Sequence, residues 1–206
     1  NPAYGLLYAR KPDGKYIPTG DDVTKTVYGY DGTYASVFFM AGNLYKDPYL
    51  KREYYRYLQG GKSASTVVSD VSAVLHLIMN DVDVEPNGSF RDFPLTSYSG
   101  EPIPMMTART SWEEGLDSNS MVVQMNLQGS AYGNHQHADA GHFDIYYKGA
   151  LAIDSGVYES AAFQDENGNT VTSLGYASLH DMNYHKRTVA HNSMLVYDPN
   201  EQVSSV

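Results

Sequence analysis

The sequence predicts an α+β chain in which helices come first and an antiparallel sheet follows. Two observations predict this order. Apolar residues recur at helical spacing in the first part, whereas short runs with strand propensity follow Pro86-Asn87-Gly88. The 206 residues, 42% of them apolar, are enough to bury a substantial core. We place the junction between the two parts at Arg91 to Gly100.

Three helices are predicted in the first part. The first covers Gly32 to Tyr45, where positions 34, 37, 38, 41, 44 and 45 form an apolar stripe. Asp47-Pro48 ends it and starts the second, Tyr49 to Leu58, because proline suits the first turn of a helix. Gly60-Gly61 closes the second helix, and Ser69 to Met79 is the third. Paired helices joined by short turns indicate an array of α-hairpins.

Short strands are predicted in the second part. Met121 to Leu127, Phe143 to Tyr147 and Leu151 to Ile153 have strand propensity and partial alternation of apolar residues. Lys148-Gly149, between the last two, is typical of a two-residue hairpin turn. His191 to Tyr197 is predicted as a further strand. The second part is therefore expected to form a sheet.

The overall composition excludes several classes of function. A formal net charge of −10, from 14 basic and 24 acidic residues, argues against a nucleic-acid partner, which requires a basic face. The absence of cysteine rules out disulfides and thiolate metal sites. No apolar run approaches the roughly 20 residues that span a bilayer. Asn1 rather than Met at the start indicates a mature or truncated form.

Imidazoles and carboxylates gather in the second part. In an extended conformation His135, His137 and Asp139 share one face, with neighbours roughly 6.5 Å apart. A His-x-His pair of this kind can bind a metal ion through one or both rings, and Asp154 and His191 are the candidate partners. Without cysteine, such a set favours zinc or a similar borderline ion. The alternative is that these histidines are ordinary surface or hydrogen-bonded residues.

Two further features bear on function. Tyr184-His185-Lys186-Arg187 is a basic, aromatic patch suited to carboxylate or sulfate groups, the alternative being a solvated loop. The chain also has 19 tyrosines against 6 phenylalanines. Tyrosine offers a flat face to sugar rings and a hydroxyl for proton transfer, although most of these side chains must be structural.

Several motifs extend over nearly the whole chain. They are Tyr8-Ala9-Arg10-Lys11-Pro12-Asp13-Gly14, Thr19-Gly20-Asp21-Asp22, Asn134-His135-x-His137-x-Asp139-x-Gly141-x-Phe143, Tyr146-Tyr147-Lys148-Gly149, Ala152-Ile153-Asp154-Ser155-Gly156-x-Tyr158 and Arg187-Thr188-Val189-Ala190-His191-Asn192-Ser193. Together they resemble the heparinase II/III-like polysaccharide lyases, and within that family they look most like the heparinase II branch.

The resemblance implies a fold and a location. Residues 1–92 would be the C-terminal part of an incomplete α/α toroid, and residues 93–206 an incomplete antiparallel β-sandwich with the metal site. Family enzymes take another catalytic His or Asn from helices before the Pro-Asp-Gly motif, and this chain begins after them. The resemblance thus implies a fragment whose partner is the remaining part of the same enzyme. It also implies a periplasmic or secreted bacterial protein.

The resemblance implies roles for residues around the His-x-His motif. His137, Asp154 and His191 would bind a structural zinc ion. Asn134 and His135 would face the substrate, with Asn134 helping to neutralise the uronate carboxylate. The metal would therefore hold the strands in place and so keep His135 oriented toward the sugar, although His135 would not bind the ion.

The implied reaction is β-elimination at a uronic acid of a glycosaminoglycan-type polysaccharide such as heparin or heparan sulfate. A tyrosine acts as proton shuttle in this family; Tyr8 is the first choice for this role and Tyr4 the second. Tyr158 would line the site. Arg10 and Arg109 are candidates for further electrostatic help at the carboxylate.

Two other functions remain open at the level of sequence. One is a zinc hydrolase in which His135, His137 and Asp154 hold an ion that activates water. The other is a non-catalytic carbohydrate-binding module that uses tyrosine platforms. A lyase product has a new double bond that absorbs ultraviolet light, a hydrolase product has none, and a binding module gives no turnover.

Overall fold

The fold follows the predicted order of helices and then sheet. A computed structural model describes residues 2–17, 20, 31–59, 73–86, 88–101, 104–129, 136–155, 165–169, 178–195 and 199–200. The α-helices in these ranges all precede the five-stranded antiparallel sheet. Within the same ranges, no helix has the length and apolar character that a bilayer crossing requires. The described part is therefore an α+β arrangement.

The α-helices of the described ranges are α1 (Pro2–Tyr8), α2 (Asp31–Leu44), α3 (Pro48–Gln59) and α4 (Ala73–Met79). α2 and α3 confirm the first two predicted helices almost to the residue. α4 confirms the second half of the third, whose residues 69–72 lie outside the described ranges. The sequence pattern did not predict α1, because its 7 residues are too few to show a helical stripe.

The boundary between α2 and α3 is fixed by Asp47. Its Oδ1 accepts hydrogen bonds from the backbone N–H of Tyr49 at 2.9 Å and of Leu50 at 3.1 Å. Pro48 occupies the first helical position, where its missing N–H costs nothing. The cap satisfies two of the amides that the start of a helix leaves without an internal partner.

Gly42 sets how closely α2 approaches α3. A Cβ at this position would lie 2.7 Å from the backbone N and 2.9 Å from the Cα of Lys51, closer than real Cβ atoms come. We expect Gly42→Ala to lower the free energy of unfolding by about 1–3 kcal/mol, because backbone cannot give way as a side chain can. Urea unfolding measures the effect.

Gly5 in α1 is the matched control, because a Cβ there would meet nothing within 4 Å. Gly5→Ala is expected to be neutral or to stabilise by about 0.5–1 kcal/mol, through the better helix propensity of alanine. Equal effects of the two substitutions would contradict the close approach at Gly42.

The helices share one hydrophobic core with Phe90 and Trp112, which lie just outside the strands of the sheet. Its large buried side chains include Leu7, Tyr8, Phe38, Phe39 and Leu50. The ring of Trp112 stacks on Phe90 with centroids 5.0 Å apart, and its Nε1 donates to Pro94 O at 3.2 Å. Tyr8 meets the same indole edge to face at 5.1 Å. α1 is thus fastened to the residues on either side of the first two strands.

The sheet is a meander of neighbouring antiparallel strands. Its members are β1 (Thr96–Ser99), β2 (Met105–Arg109), β3 (Val122–Asn126), β4 (Phe143–Tyr146) and β5 (Ala150–Ala152), in that spatial order. β3, β4 and β5 confirm the predicted strands. β1 lies inside the predicted junction, and neither β1 nor β2 was predicted.

The missed strand β2 has an inverted pattern of burial. Cross-strand pairing aligns Thr107 with Gln124 and Gln124 with Asp144, and these three polar residues are buried. This face lies against the helical part, since the Arg109 guanidinium donates to Arg10 O at 3.2 Å. A strand whose polar face points inward does not match the usual apolar-in alternation, so the pattern gave no signal.

The predicted hairpin between β4 and β5 exists, but its turn is longer than predicted. Tyr146 pairs with Ala150, which leaves three residues in the connection and a bulge beside it. Lys148 takes the left-handed conformation with φ of 54°. Tyr147 N donates to Gly149 O at 2.9 Å and closes the turn. The two-residue turn predicted at Lys148-Gly149 is therefore wrong.

The strand predicted at His191 to Tyr197 is also wrong over its described part. A short 3₁₀ helix, Thr188–Ala190, precedes His191, whose own backbone is extended with φ of −115° and ψ of 155°. Residues 192–195 then bend instead of joining the sheet, and 196–197 lie outside the described ranges. Side-chain hydrogen bonds of Asn192 replace strand pairing in this segment.

Candidate metal centre

Three buried side chains converge beyond the end of the sheet. They are His137 in the β3–β4 connection, Asp154 two residues after β5, and His191 at the end of the 3₁₀ helix. Each offers one ligand atom, and these atoms lie within 4.8 Å of one another. Residues distant in sequence are thus brought to one point, as the sequence predicts for this group.

Asp154 is the centre of the group. Its Oδ1 lies 2.6 Å from His191 Nδ1, and its Oδ2 lies 3.7 Å from His137 Nδ1. The two imidazole rings are stacked at 28° with centroids 5.1 Å apart. One carboxylate therefore faces two imidazoles in a space that is closed to solvent.

The donor set fits a borderline metal ion. Zinc takes imidazole nitrogen and carboxylate oxygen, and cysteine is absent from the chain. His191 Nε2 is buried and has no hydrogen-bond partner among the described residues. A buried polar atom without a partner costs free energy, which binding to a cation would recover. The group can therefore hold a metal ion, whose identity the donors alone do not fix.

Hydrogen bonds fasten the three ligand-bearing segments to one another. Ser155 donates to Ala190 O from its backbone N at 3.0 Å and from its Oγ at 2.6 Å. Thr188 Oγ1 donates to Ala138 O at 2.8 Å. Asn192 Nδ2 donates to Ile153 O at 2.9 Å and to Phe143 O at 3.1 Å. The segments are held in register by these bonds.

A second pair of ionisable groups lies beside the centre. His142 and Asp144 are both buried, and His142 Nε2 is 3.2 Å from Asp144 Oδ2. Burial lowers the pKa of His142, but the hydrogen bond and negative charge of Asp144 outweigh it, so the pKa is raised overall. The other ring nitrogen opposes protonation of His142. Asn192 N donates a hydrogen bond to His142 Nδ1 at 2.9 Å, and Nδ1 can accept this bond only while it carries no proton.

The basic patch predicted at Tyr184 to Arg187 is divided by the structure. His185 ends a π-helix, Asp181–His185, and is fully buried with its ring 4.5 Å from that of His137. Lys186 pairs with Asp181 at 3.4 Å. His185 thus belongs to the surroundings of the metal centre, a position that the sequence did not predict.

The two arginines predicted to help at the substrate carboxylate are scaffold residues in this structure. Arg10 is buried, with Nε 3.0 Å from Glu53 and an N–H donated to Glu114 at 2.9 Å. Arg109 lies over the Trp112 ring, with its Cζ 3.7 Å from the centroid. Burial and the nearby charge of Arg10 lower the pKa of Arg109 to about 10, so Arg109 remains a cation at neutral pH. Their predicted role toward substrate stays a prediction.

The two tyrosines predicted as proton shuttles are hydrogen-bonded within the scaffold. The hydroxyl of Tyr8 donates to Pro94 O at 2.8 Å, and that of Tyr4 donates to Asp47 Oδ2 at 2.5 Å. Burial raises the pKa of both, and Asp47 adds to the rise at Tyr4. The neutral phenol is therefore the stable form at both positions, and the shuttle role stays a prediction.

Tyr8→Phe separates the structural role of the Tyr8 hydroxyl, its hydrogen bond to Pro94 O, from its predicted role as proton shuttle. Because Pro94 O loses one donor, we expect a loss of about 1 kcal/mol in unfolding free energy. The shuttle role adds a fall in turnover of about 10²–10⁴-fold. Tyr16→Phe is the matched control, since it also removes one hydroxyl from a buried tyrosine and Tyr16 has no predicted role toward substrate. Full turnover by folded Tyr8→Phe protein would contradict the shuttle role.

Three predicted substrate-facing residues, Asn134, His135 and Tyr158, lie outside the described residues. Nearby residues are described: Gln136 is half-buried next to His137, and Ser155 follows Asp154. The predicted roles of these three residues therefore stay predictions.

A comparison with known protein families gives a match over the second part of the chain. Residues 106–204 match the family model described as "Heparinase II/III-like, C-terminal". The matched range includes β3 to β5 and all three residues of the metal centre. The match supports a place for this chain in the heparinase II/III-like family, which is associated with polysaccharide lyases. None of the curated proteins matches the chain.

Proposed function

We propose that the protein is a lyase that cleaves uronic-acid-containing polysaccharides of the heparin and heparan sulfate type by β-elimination, with a structural zinc ion. The observation that carries this proposal is the buried group of His137, Asp154 and His191 inside the range that matches the family model. The polysaccharide substrate follows from the family association, and the zinc from the donor set.

Burial of the ligands favours a structural ion over a catalytic one. A catalytic zinc site keeps one position open to water and substrate. Here His137, Asp154 and His191 are only 5%, 1% and 8% exposed. When bound, the ion would supply coordinate bonds that join three chain segments. This supports the lyase over the hydrolase, in which the ion itself must reach a water molecule.

Side chains near the centre would carry the reaction. The C5 proton of a uronate is weakly acidic, so the carboxylate charge must first be offset, and we assign this to Asn134 and His135. A Tyr or His then removes the C5 proton, the C4–O bond breaks as the C4–C5 double bond forms, and a Tyr hydroxyl protonates the departing oxygen. Tyr8 remains the first candidate for that hydroxyl, and Tyr158 would line the site.

The wider architecture is part of the proposal. Residues 1–92 would form the end of an α/α toroid, and residues 93–206 part of a β-sandwich. The described order of helices and then antiparallel sheet supports this division. The rest of the same enzyme would complete the substrate cleft. A polymeric substrate further suggests a periplasmic or secreted protein.

The product of the reaction tests the proposal. The full-length protein is incubated with heparin, heparan sulfate and alginate, and the ultraviolet absorbance of the unsaturated uronate is followed. We expect absorbance to rise with a glycosaminoglycan substrate. His135→Ala should slow the rise by about 10²–10³-fold, the usual effect of removing one group that stabilises charge in the transition state. His76→Gln is the control, because His76 stacks on Phe39 in the helical core.

The alternatives give different outcomes in the same experiment. New reducing ends without absorbance would identify a hydrolase. Saturable binding without turnover at any protein concentration would identify a carbohydrate-binding module. Either result would overturn the lyase proposal.

A further inference from the structure

The His142–Asp144 pair joins two segments that carry metal ligands. Both residues are buried at the start of β4, at 4% and 5% exposure, and neither belongs to the group of ligands. A buried polar pair has a cost in desolvation that apolar residues would avoid. Packing alone therefore does not explain why this polar pair lies next to the metal centre.

The contacts of the pair give that reason. Asn192, the neighbour of the ligand His191, donates from its backbone N to His142 Nδ1 at 2.9 Å. The ligand Asp154 donates from its backbone N to Asp144 Oδ1 at 3.3 Å. His142 Nε2 and Asp144 Oδ2, 3.2 Å apart, close the bridge. Two segments nearly forty residues apart in sequence are thereby held at a fixed separation.

The bridge works with only one tautomer of His142. Nδ1 must keep its lone pair for the N–H of Asn192, so the proton of the neutral ring is on Nε2, which faces Asp144. Asp144 thus lies next to the nitrogen that carries the proton and favours this tautomer by its negative charge. A carboxylate that orients an imidazole near a metal is a known way of setting the geometry of a site. In this case, however, the imidazole holds backbone instead of metal.

We infer that His142 and Asp144 are positioning residues that set metal affinity by fixing Asp154 relative to His191. The inference rests on the metal site of the proposed function and concerns residues that this proposal does not use. Loss of the bridge would leave all three ligands in place but with fewer bonds to fix the spacing of Asp154 and His191. Metal binding would then have to restore their spacing, and affinity would fall.

Asp144→Asn is the sharpest variant because it is isosteric. Its amide oxygen can still accept from Asp154 N, which turns its NH₂ toward His142 Nε2–H. Either two donors then face each other there, or His142 changes tautomer and presents Nδ1–H to Asn192 N–H. His142→Asn can keep the hydrogen bond from Asn192 N, because the new amide oxygen can accept it. The substitution loses the contact with Asp144. His142→Leu loses both contacts.

The test measures zinc affinity of the full-length protein by competition with a chelator, together with the absorption spectrum of the Co²⁺-substituted protein. We expect Asp144→Asn and His142→Asn to weaken zinc binding about 10–100-fold, the usual effect of outer-shell partners. His142→Leu should weaken it further. The Co²⁺ bands should shift in all three variants. His76→Gln, in the helical core, should leave both readouts unchanged.

A merely structural role predicts something different. The variants would then unfold at lower temperature, while the folded protein kept zinc affinity within about 3-fold and an unchanged Co²⁺ spectrum; that result would overturn the inference. Failure of every variant to fold at 25 °C would also overturn it in favour of a structural role. Wild-type protein that binds no zinc would overturn the inference and the metal part of the proposed function, whereas the absorbance assay decides the lyase reaction separately.

Discussion

Glu53→Gln is expected to lower the free energy of unfolding by about 3–5 kcal/mol, the cost of removing one partner from a buried ion pair. Glu53 is fully buried and lies 3.0 Å from Arg10 Nε. It also accepts from Arg56 Nε at 2.8 Å and from the hydroxyl of Tyr16 at 3.2 Å. One carboxylate therefore balances two guanidinium groups in the helical core.

The pKa of Arg56 agrees with a central role of Glu53 in the helical core. Burial lowers the pKa of Arg56, but the charge of Glu53 and its hydrogen bond outweigh burial and raise the pKa overall. Without the carboxylate, the ion pair left to Arg10 among the described residues is the one with Glu114, whose side chain is 43% exposed. The remaining attraction is then weakened by solvent.

An exposed ion pair provides the control for Glu53. Lys46 Nζ lies 3.9 Å from Asp81, and the Lys46 side chain is 78% exposed. Lys46→Gln should change the free energy of unfolding by less than about 1 kcal/mol, and it keeps a Cβ at this left-handed position. Urea unfolding of both variants checks the difference. Similar effects would mean that Glu53 is not the electrostatic centre of the helical core.

His191→Ala is expected to remove metal binding and stability together. A ligand that binds only the folded state stabilises it by about 4 kcal/mol when its free concentration is 1,000 times its Kd. His191 contributes one of the three ligand atoms, and its Nδ1 is bonded to Asp154. Its loss would leave the Asp154 carboxylate buried with one imidazole fewer around it.

A chelator distinguishes metal from packing in this prediction. It should lower the melting temperature of the wild-type protein and leave that of His191→Ala unchanged, because the variant has no ion to lose. Differential scanning calorimetry with and without chelator measures both. An equal shift in the two proteins would show that metal binding does not need His191, and no shift in either would show that no metal ion stabilises the fold.

The sequence predicted the candidate metal group because the types and the order of its residues along the chain are local features. His137, Asp154 and His191 lie in short motifs, and the family resemblance assigned them one role. The structure brings them together as predicted. Helices α2 and α3 could also be predicted from the sequence, since an apolar stripe and a capping Asp-Pro pair are visible without any tertiary information.

What the sequence missed depends on tertiary packing. β2 was missed because its buried face has Thr107 and Arg109, which lie against the helical part. The sequence did not show that Arg10, whose role toward substrate stays a prediction, pairs in the core with the distant residue Glu53. His142 and Asp144 did offer a signal in the sequence. The two residues of a His-x-Asp pattern lie on the same face of an extended segment, so their side chains can contact each other. The backbone groups that they hold come from two other segments.

The metal content of two single variants of the full-length protein tests the central claim most directly. His135 lies two positions before the ligand His137, and our account gives it the substrate and not the ion. We expect near one equivalent of zinc in the wild type and in His135→Ala, and none in His191→Ala. Equal loss of zinc from both variants would make His135 a ligand and would contradict the account.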